Sequence, residues 1–220
     1  MDCNPKIIFW NVHGLNSGAK RTAVRSVISA AAPTIVCLQE TKPAHVTDSI
    51  VLNTLGTLFE DFFFLPATGT RGGVLLAWLR SHVSLSNPYI GEHHITALVS
   101  PVGGAGHWWL TGVYGPQDDE AKLDFLADLH DVRESRIGPW LLGGDFNMIT
   151  SAADKNTPNL NHHVMSRFRR FIADEELRDM YLHGRRYTWS SESDTPTLVW
   201  NGRILCTSGW EIAHPHCLLH

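Results

Sequence analysis

The sequence has no long apolar run. Its least interrupted one, Gly72 to Leu79, is far short of the about 20 residues a membrane-crossing helix needs. The opening Met1-Asp2-Cys3-Asn4-Pro5-Lys6 lacks both the basic start and the apolar core of a secretory signal. An intracellular protein, nuclear or cytoplasmic, not secreted and with no membrane partner, is expected. Cysteine is scarce, with Cys3, Cys37, Cys206 and Cys217 forming no CxxC pair, which argues against a disulfide framework and a thiolate zinc site. Cys37 lies in the apolar run Ile35-Val36-Cys37-Leu38, where a buried thiol behaves as a small hydrophobe. Charge of one sign is also missing. The formal net charge of −4 gives no global signature of nucleic-acid binding. There is no internal repeat, low-complexity tract or linker-like break.

What is present is a globular composition. Hydrophobic residues make up 43% and charged residues 18% of 220, enough for one domain over 1–220 that buries roughly 70% of its unfolded surface. Charge is uneven along the chain. Residues 155–203 are locally basic, with Lys155, Arg167, Arg169, Arg170, Arg178, Arg185, Arg186 and Arg203. Such a strip suits either a phosphate-facing surface or a solvated helix face.

Lys6–Val12 is β-rich, residues 19–31 place Ala23, Val24, Val27, Ile28 and Ala31 at helical spacing, and Ile35–Leu38 is a second apolar strand. Strand, helix, strand in this span predicts a right-handed crossover with a parallel pair. Gly72–Trp78, His94–Ser100 and Trp108–Tyr114 follow as strands without an intervening helix, which predicts an antiparallel meander. Helices are expected over 119–135 and 163–177. Strands are expected at Pro139–Leu142, Arg186–Ser190 and Leu198–Cys206. Strands mixed with surface helices predict an α+β sandwich, two sheets face to face with helices outside.

Several strands end in polar residues: Asn11, Glu40, Tyr114, Asp145 and Asn147. One such end is an ordinary solvated turn. Five gathered at one sheet edge would make a site on rigid elements. The words that carry these residues go further. Ile8-Phe9-Trp10-Asn11-Val12-His13-Gly14-Leu15, Leu38-Gln39-Glu40-Thr41-Lys42, Gly112-Val113-Tyr114-Gly115-Pro116 and Gly144-Asp145-Phe146-Asn147 resemble, in order, the motifs of the endonuclease/exonuclease/phosphatase superfamily. DNase I, the apurinic/apyrimidinic endonucleases and the inositol-polyphosphate 5-phosphatases belong to it. Lys20-Arg21, Arg71-Gly72-Gly73-Val74, Pro139-Trp140-Leu141 and Arg186-Tyr187-Thr188-Trp189-Ser190 are similar to the endonuclease domain of plant LINE-type, non-LTR retroelements.

The resemblance implies a DNase I-like, four-layer α/β/β/α sandwich and hydrolysis of phosphodiesters in DNA. It implies Mg2+ as cofactor, with Mn2+ as a substitute. Phosphodiester hydrolysis must neutralise a developing oxyanion and activate a water. By similarity Glu40 is the principal metal ligand with Asn11 in support. Asp145 orients or deprotonates the attacking water, Asn147 donates to the phosphate, and Tyr114 donates its hydroxyl to the phosphate or the leaving oxygen. Gln117, Arg71 and Arg186 are the implied nucleic-acid contacts.

The chain also departs from its relatives. Leu198-Val199-Trp200-Asn201-Gly202-Arg203 places Gly202 where relatives carry a late-strand aspartate. The ten residues after Trp210 hold His214, His216 and His220, none of which follows an aspartate, whereas relatives end on an Asp-His strand. The implied fold therefore lacks its last strand, Lys6–Val12 is left as an open edge, and turnover is impaired or absent. Two alternatives stay open: a catalytically dead retroelement remnant that keeps the fold and weak nucleic-acid affinity, and a phosphatase of small phosphorylated lipids or inositols.

Overall fold

In the computed structural model, residues 5–69, 71–104 and 106–219 are described; the expectations resting on Met1–Asn4, Cys3 included, and on His220 lie outside them. Contacts divide the chain after Tyr114 into two compact units.

The first unit opens with β1 (Ile7–Asn11), α1 (Gly18–Ala31) and β2 (Ile35–Gln39). The strands run parallel, with Ile7 across from Ile35 and Asn11 across from Gln39, as the alternation of elements predicts. Ser17 starts α1 by accepting a hydrogen bond from the Lys20 amide, and Ala32 ends it in a left-handed conformation just before Pro33. Next come α2 (Asp48–Leu55), β3 (Asp61–Leu65) and β4 (Val74–Trp78). The first sheet has the order β1-β2-β4-β3, so β1 forms one edge. A second set, β5 (Val83–Ile90), β6 (His94–Pro101) and β7 (Trp108–Tyr114), pairs antiparallel in sequence order.

One expectation is corrected here. The meander does not include β4, which pairs antiparallel with β2 in the other sheet; β5 takes its place. Every residue of β4 is buried, as in a central strand covered on both faces. β5 is exposed from Ser86 onward and contains Pro88, the composition of an edge strand.

β2 is buried along its whole length, and its alternation explains the layering. Val36 and Leu38 join Val24 and Ile28 of α1 and Val51 and Leu55 of α2 in one cluster. Cys37 points the other way, toward β7, where a Cβ on Gly112 would lie 2.3 Å from the Cys37 Sγ. The sheets approach this closely because position 112 has no side chain. Helices, sheet and sheet stack as three layers.

The second unit contains α3 (Asp119–Ser135), β8 (Trp140–Asp145), a short 3₁₀ turn (Ala152–Asp154), α4 (His162–Asp174), β9 (Leu177–Asp179), β10 (Trp189–Ser190), β11 (Leu198–Val199), β12 (Gly202–Thr207) and α5 (Ser208–Ala213). β12 lies between β8 and β9 and is antiparallel to both. Phe146, directly after β8, packs between Phe125 of α3 and Phe168 of α4, at ring separations of 6.4 and 5.3 Å. The predicted helix over 163–177 stops at Asp174, and Leu177 begins β9. The predicted strand Leu198–Cys206 is split at Trp200 and Asn201. There the Trp200 amide donates to the Asp154 carbonyl and the Asn201 amide to the Thr188 hydroxyl, which takes both out of the ladder.

Arg203 holds this unit together. Its side chain is 1% exposed, donates to the carboxylates of Asp154 and Asp179, and lies 4.5 Å from the centre of the Trp200 ring. Asp154 also accepts the Thr150 and Ser151 amides at 2.8 and 2.9 Å. A residue that sequence placed in a basic strip is therefore internal, while Arg167, Arg169 and Arg170 are exposed. No helix among the described residues is long and apolar enough to cross a membrane. With sheets packed face to face under helices, the fold is the expected mixed α+β sandwich.

Candidate active site

In the first unit, β1 and β2 run parallel and end at the same edge, which brings Asn11 and Glu40 together. The Glu40 side chain is 16% exposed, and both of its oxygens are engaged. Oε2 lies 3.1 Å from His13 Nδ1, and Oε1 lies 3.1 Å from Lys42 Nζ. Asn11 hydrogen-bonds Glu40, while its own Oδ1 accepts the His13 amide at 3.1 Å. Burial pushes the Glu40 carboxyl upward. The hydrogen bonds from Lys42 and Asn11 and the charges of His13 and Lys42 outweigh that effect and hold it below its ordinary value.

His13, Glu40 and Lys42 all have left-handed backbone, at φ 50°, 54° and 68°. Asn147, in the second unit, is also left-handed, at φ 53°. Four of the seven such non-glycine residues described are thus candidate site residues or their direct partners. Strained backbone of this kind concentrates at functional positions. Gly72 packs beside the cluster: a Cβ there would lie 2.8 Å from both the Glu40 Cα and the Tyr114 Cε1. The absent side chain lets the Tyr114 ring sit against Glu40. Tyr114 is buried, its amide donates to the His93 carbonyl, and its own carbonyl lies 3.2 Å from His93 Nδ1. Arg71, next to Gly72, pairs with Glu92 at 3.0 Å.

In the second unit, β8 delivers Asp145, which is 7% exposed. Its Oδ1 accepts the Asn147 amide at 3.0 Å. Asn147 donates through Nδ2 to the Gly115 carbonyl at 2.7 Å, which anchors the segment leading to Gln117. Sequence reasoning missed two members of this cluster. Asn201 Nδ2 approaches Asn147 Oδ1 at 3.5 Å, and the Thr188 hydroxyl donates to Asn201 Oδ1 at 3.2 Å. A carboxamide in the middle of a predicted strand was the only signal for Asn201. Position 202 faces Asp145 directly across the β8–β12 ladder, and opposed residues share a sheet face. Position 202 therefore offers no side chain to the carboxylate opposite. Arg186 is not part of this cluster; it donates to the Ala153 carbonyl at 3.4 Å and lies over the Tyr187 ring.

Residues 8–219 match the Endonuclease/Exonuclease/phosphatase family. The chain belongs to that family, and its fold is that of metal-dependent phosphodiesterases, nucleases and phosphatases. A search of curated proteins finds no match. Solved structures with the same fold include the AP endonuclease LMAP from Leishmania major, at 18% identity and TM-score 0.69, covering 93% of this chain and 79% of that one. The 3′ phosphatase NExo from Neisseria, bound to product DNA hairpin, is 19% identical with TM-score 0.70, covering 93% and 87%. The Xenopus laevis APE2 catalytic domain is 16% identical with TM-score 0.68, covering 92% and 82%.

The residues of the first cluster suit the divalent cation typical of this family. Glu40 supplies a carboxylate already tuned to stay ionised. Among the described residues no three His, Cys, Asp or Glu side chains gather as a metal cage, so a cation here would complete its shell with water or substrate oxygen. Magnesium is bound in that way, through one or two carboxylates.

Proposed function

We propose that this chain is a Mg2+-dependent phosphodiester hydrolase of the retroelement endonuclease type, nicking DNA with impaired turnover. The observation that carries the reading is the pairing of Asp145 with Gly202: a buried carboxylate on a rigid strand whose cross-strand partner lacks the acid its relatives use. A cation held at Glu40 supplies positive charge to a phosphate, and Mn2+ serves in place of Mg2+. Asn11 keeps Glu40 oriented. Asp145 accepts a proton from the attacking water, Asn147 steadies the loop that carries Gln117, and the Tyr114 hydroxyl donates to the phosphate. Arg71 and Arg186 contact the DNA backbone. DNA as substrate is favoured by the structural neighbours, one an AP endonuclease and another bound to product DNA. The retroelement-type words favour it over a small phosphorylated lipid.

A supercoiled-plasmid nicking assay with Mg2+ tests this. A Cβ at position 202 meets Thr188 Oγ1 at 3.3 Å, close but adjustable, so Gly202→Asp fits with a small shift. That variant is expected to nick at least about 10²-fold faster than the native chain, the size of one acid–base partner. Adding Asp145→Ala removes the gain. A folded Gly202→Asp protein that nicks no faster than Asp145→Ala sinks the hydrolase reading and leaves a binding remnant.

A further inference from the structure

We propose that His13 is a second ligand of the Glu40 site, and that its nitrogen turns the site toward Mn2+ in preference to Mg2+. The inference rests on the reading above that Glu40 binds the cation.

The two oxygens of Glu40 are not equivalent. Lys42 Nζ takes Oε1 at 3.1 Å, which leaves Oε2 as the oxygen for a cation, and His13 Nδ1 stands 3.1 Å from that same atom. Two donors about 2.1 Å from one ion and at roughly a right angle lie about 3.0 Å apart. The observed separation is therefore also the bite of a cis ligand pair. The imidazole plays either part with one shift of its proton. Protonated on Nδ1, the ring donates to Glu40 Oε2; protonated on Nε2, it turns the Nδ1 lone pair to the same place. Its position is built in, not accidental. Asn11 Oδ1 holds the His13 amide at 3.1 Å, and residue 13 is kept at φ 50°. Half of the side chain is open to solvent, so a cation can reach it.

Ligand chemistry then sets the preference. An all-oxygen set suits Mg2+; Mn2+ shares the preference for oxygen but, as a first-row transition ion, accepts an imidazole nitrogen more readily than Mg2+ does. The competing view is an exposed ion pair with little energetic effect. Spectroscopy separates the two without any turnover. The metal-free full chain is titrated with Mn2+, followed by electron paramagnetic resonance, with Mg2+ as competitor. Pulsed measurements then look for 14N coupling to the bound Mn2+. Native protein is expected to show that coupling and to prefer Mn2+. His13→Gln is expected to lose the coupling and about tenfold in Mn2+ affinity, with Mg2+ affinity changed less than about twofold. Mn2+ bound without nitrogen coupling, and weakened by Glu40→Gln but not by His13→Gln, overturns the ligand assignment and leaves Glu40 as the site. Mn2+ binding untouched by Glu40→Gln overturns the metal reading itself.

Discussion

Two ionic clusters in this molecule use similar groups for opposite ends. Arg203 lies inside the second unit with its side chain 1% exposed, between Asp154 at 7% and the more open Asp179 at 27%. Glu40, His13 and Lys42 sit at a strand end of the first unit, with side chains 16%, 52% and 50% exposed. In the Arg203 cluster the guanidinium and the Asp154 carboxylate are shut off from solvent, so nothing else can approach them. In the open cluster the partners share the carboxylate with solvent, so an incoming cation can replace them. Burial of the cation, not the list of charged residues, separates a structural ion pair from a poised one.

The comparison breaks most visibly at Arg203. Arg203→Ala leaves the buried Asp154 carboxylate with no cation and is expected to destabilise the protein by about 3–5 kcal/mol, read from the urea midpoint. A loss under about 1 kcal/mol would put the two clusters in one class. Asp154→Asn keeps the shape but weakens the charge-assisted bonds, and about 1.5–3 kcal/mol is expected by the same assay. Glu40→Gln sharpens the contrast: stability should change by less than about 1 kcal/mol, while Mn2+ binding is lost.

The smallest effect concerns His130 on α3. Its Nδ1 lies 2.5 Å from the Glu175 carboxylate, and that hydrogen bond, opposed by slight burial, raises its pKa. The folded state therefore holds the proton more tightly than the unfolded chain. The stabilisation is fully present below the ordinary histidine value of about 6.5 and is lost as pH rises through the elevated folded value. Melting temperatures at about pH 6 and pH 9 check this: His130→Gln should melt lower than native at the acid end and equal to it at the alkaline end.

The reach of the sequence follows from these contrasts. The parallel β1–β2 pair, β7, α3 and β8 are legible because apolar periodicity and sharp polar ends coincide in them. β5 is hidden by its polar, proline-containing second half, and α2 by its brevity of 8 residues. At the site, Glu40 and Asp145 stand out because each interrupts an apolar strand. Nothing in the sequence singles out His13 until its distance to Glu40 is known. Arg203 reads as part of a basic surface, since nothing local foretells that two carboxylates 49 and 24 positions away enclose it. Motif order is a property of the chain; enclosure is a property of the fold.

The thiol of Cys37 gives the protein a clock of its own. Sealed between the sheets with no measurable exposure, and with burial raising its pKa to about 12, it is unreactive while the layers stay closed. Cys217 is exposed and takes up an alkylating reagent before Cys37 does, which supplies an internal reference. The slow modification of Cys37 then counts how often the sandwich opens, a rate readable by mass spectrometry from the mass that the reagent adds.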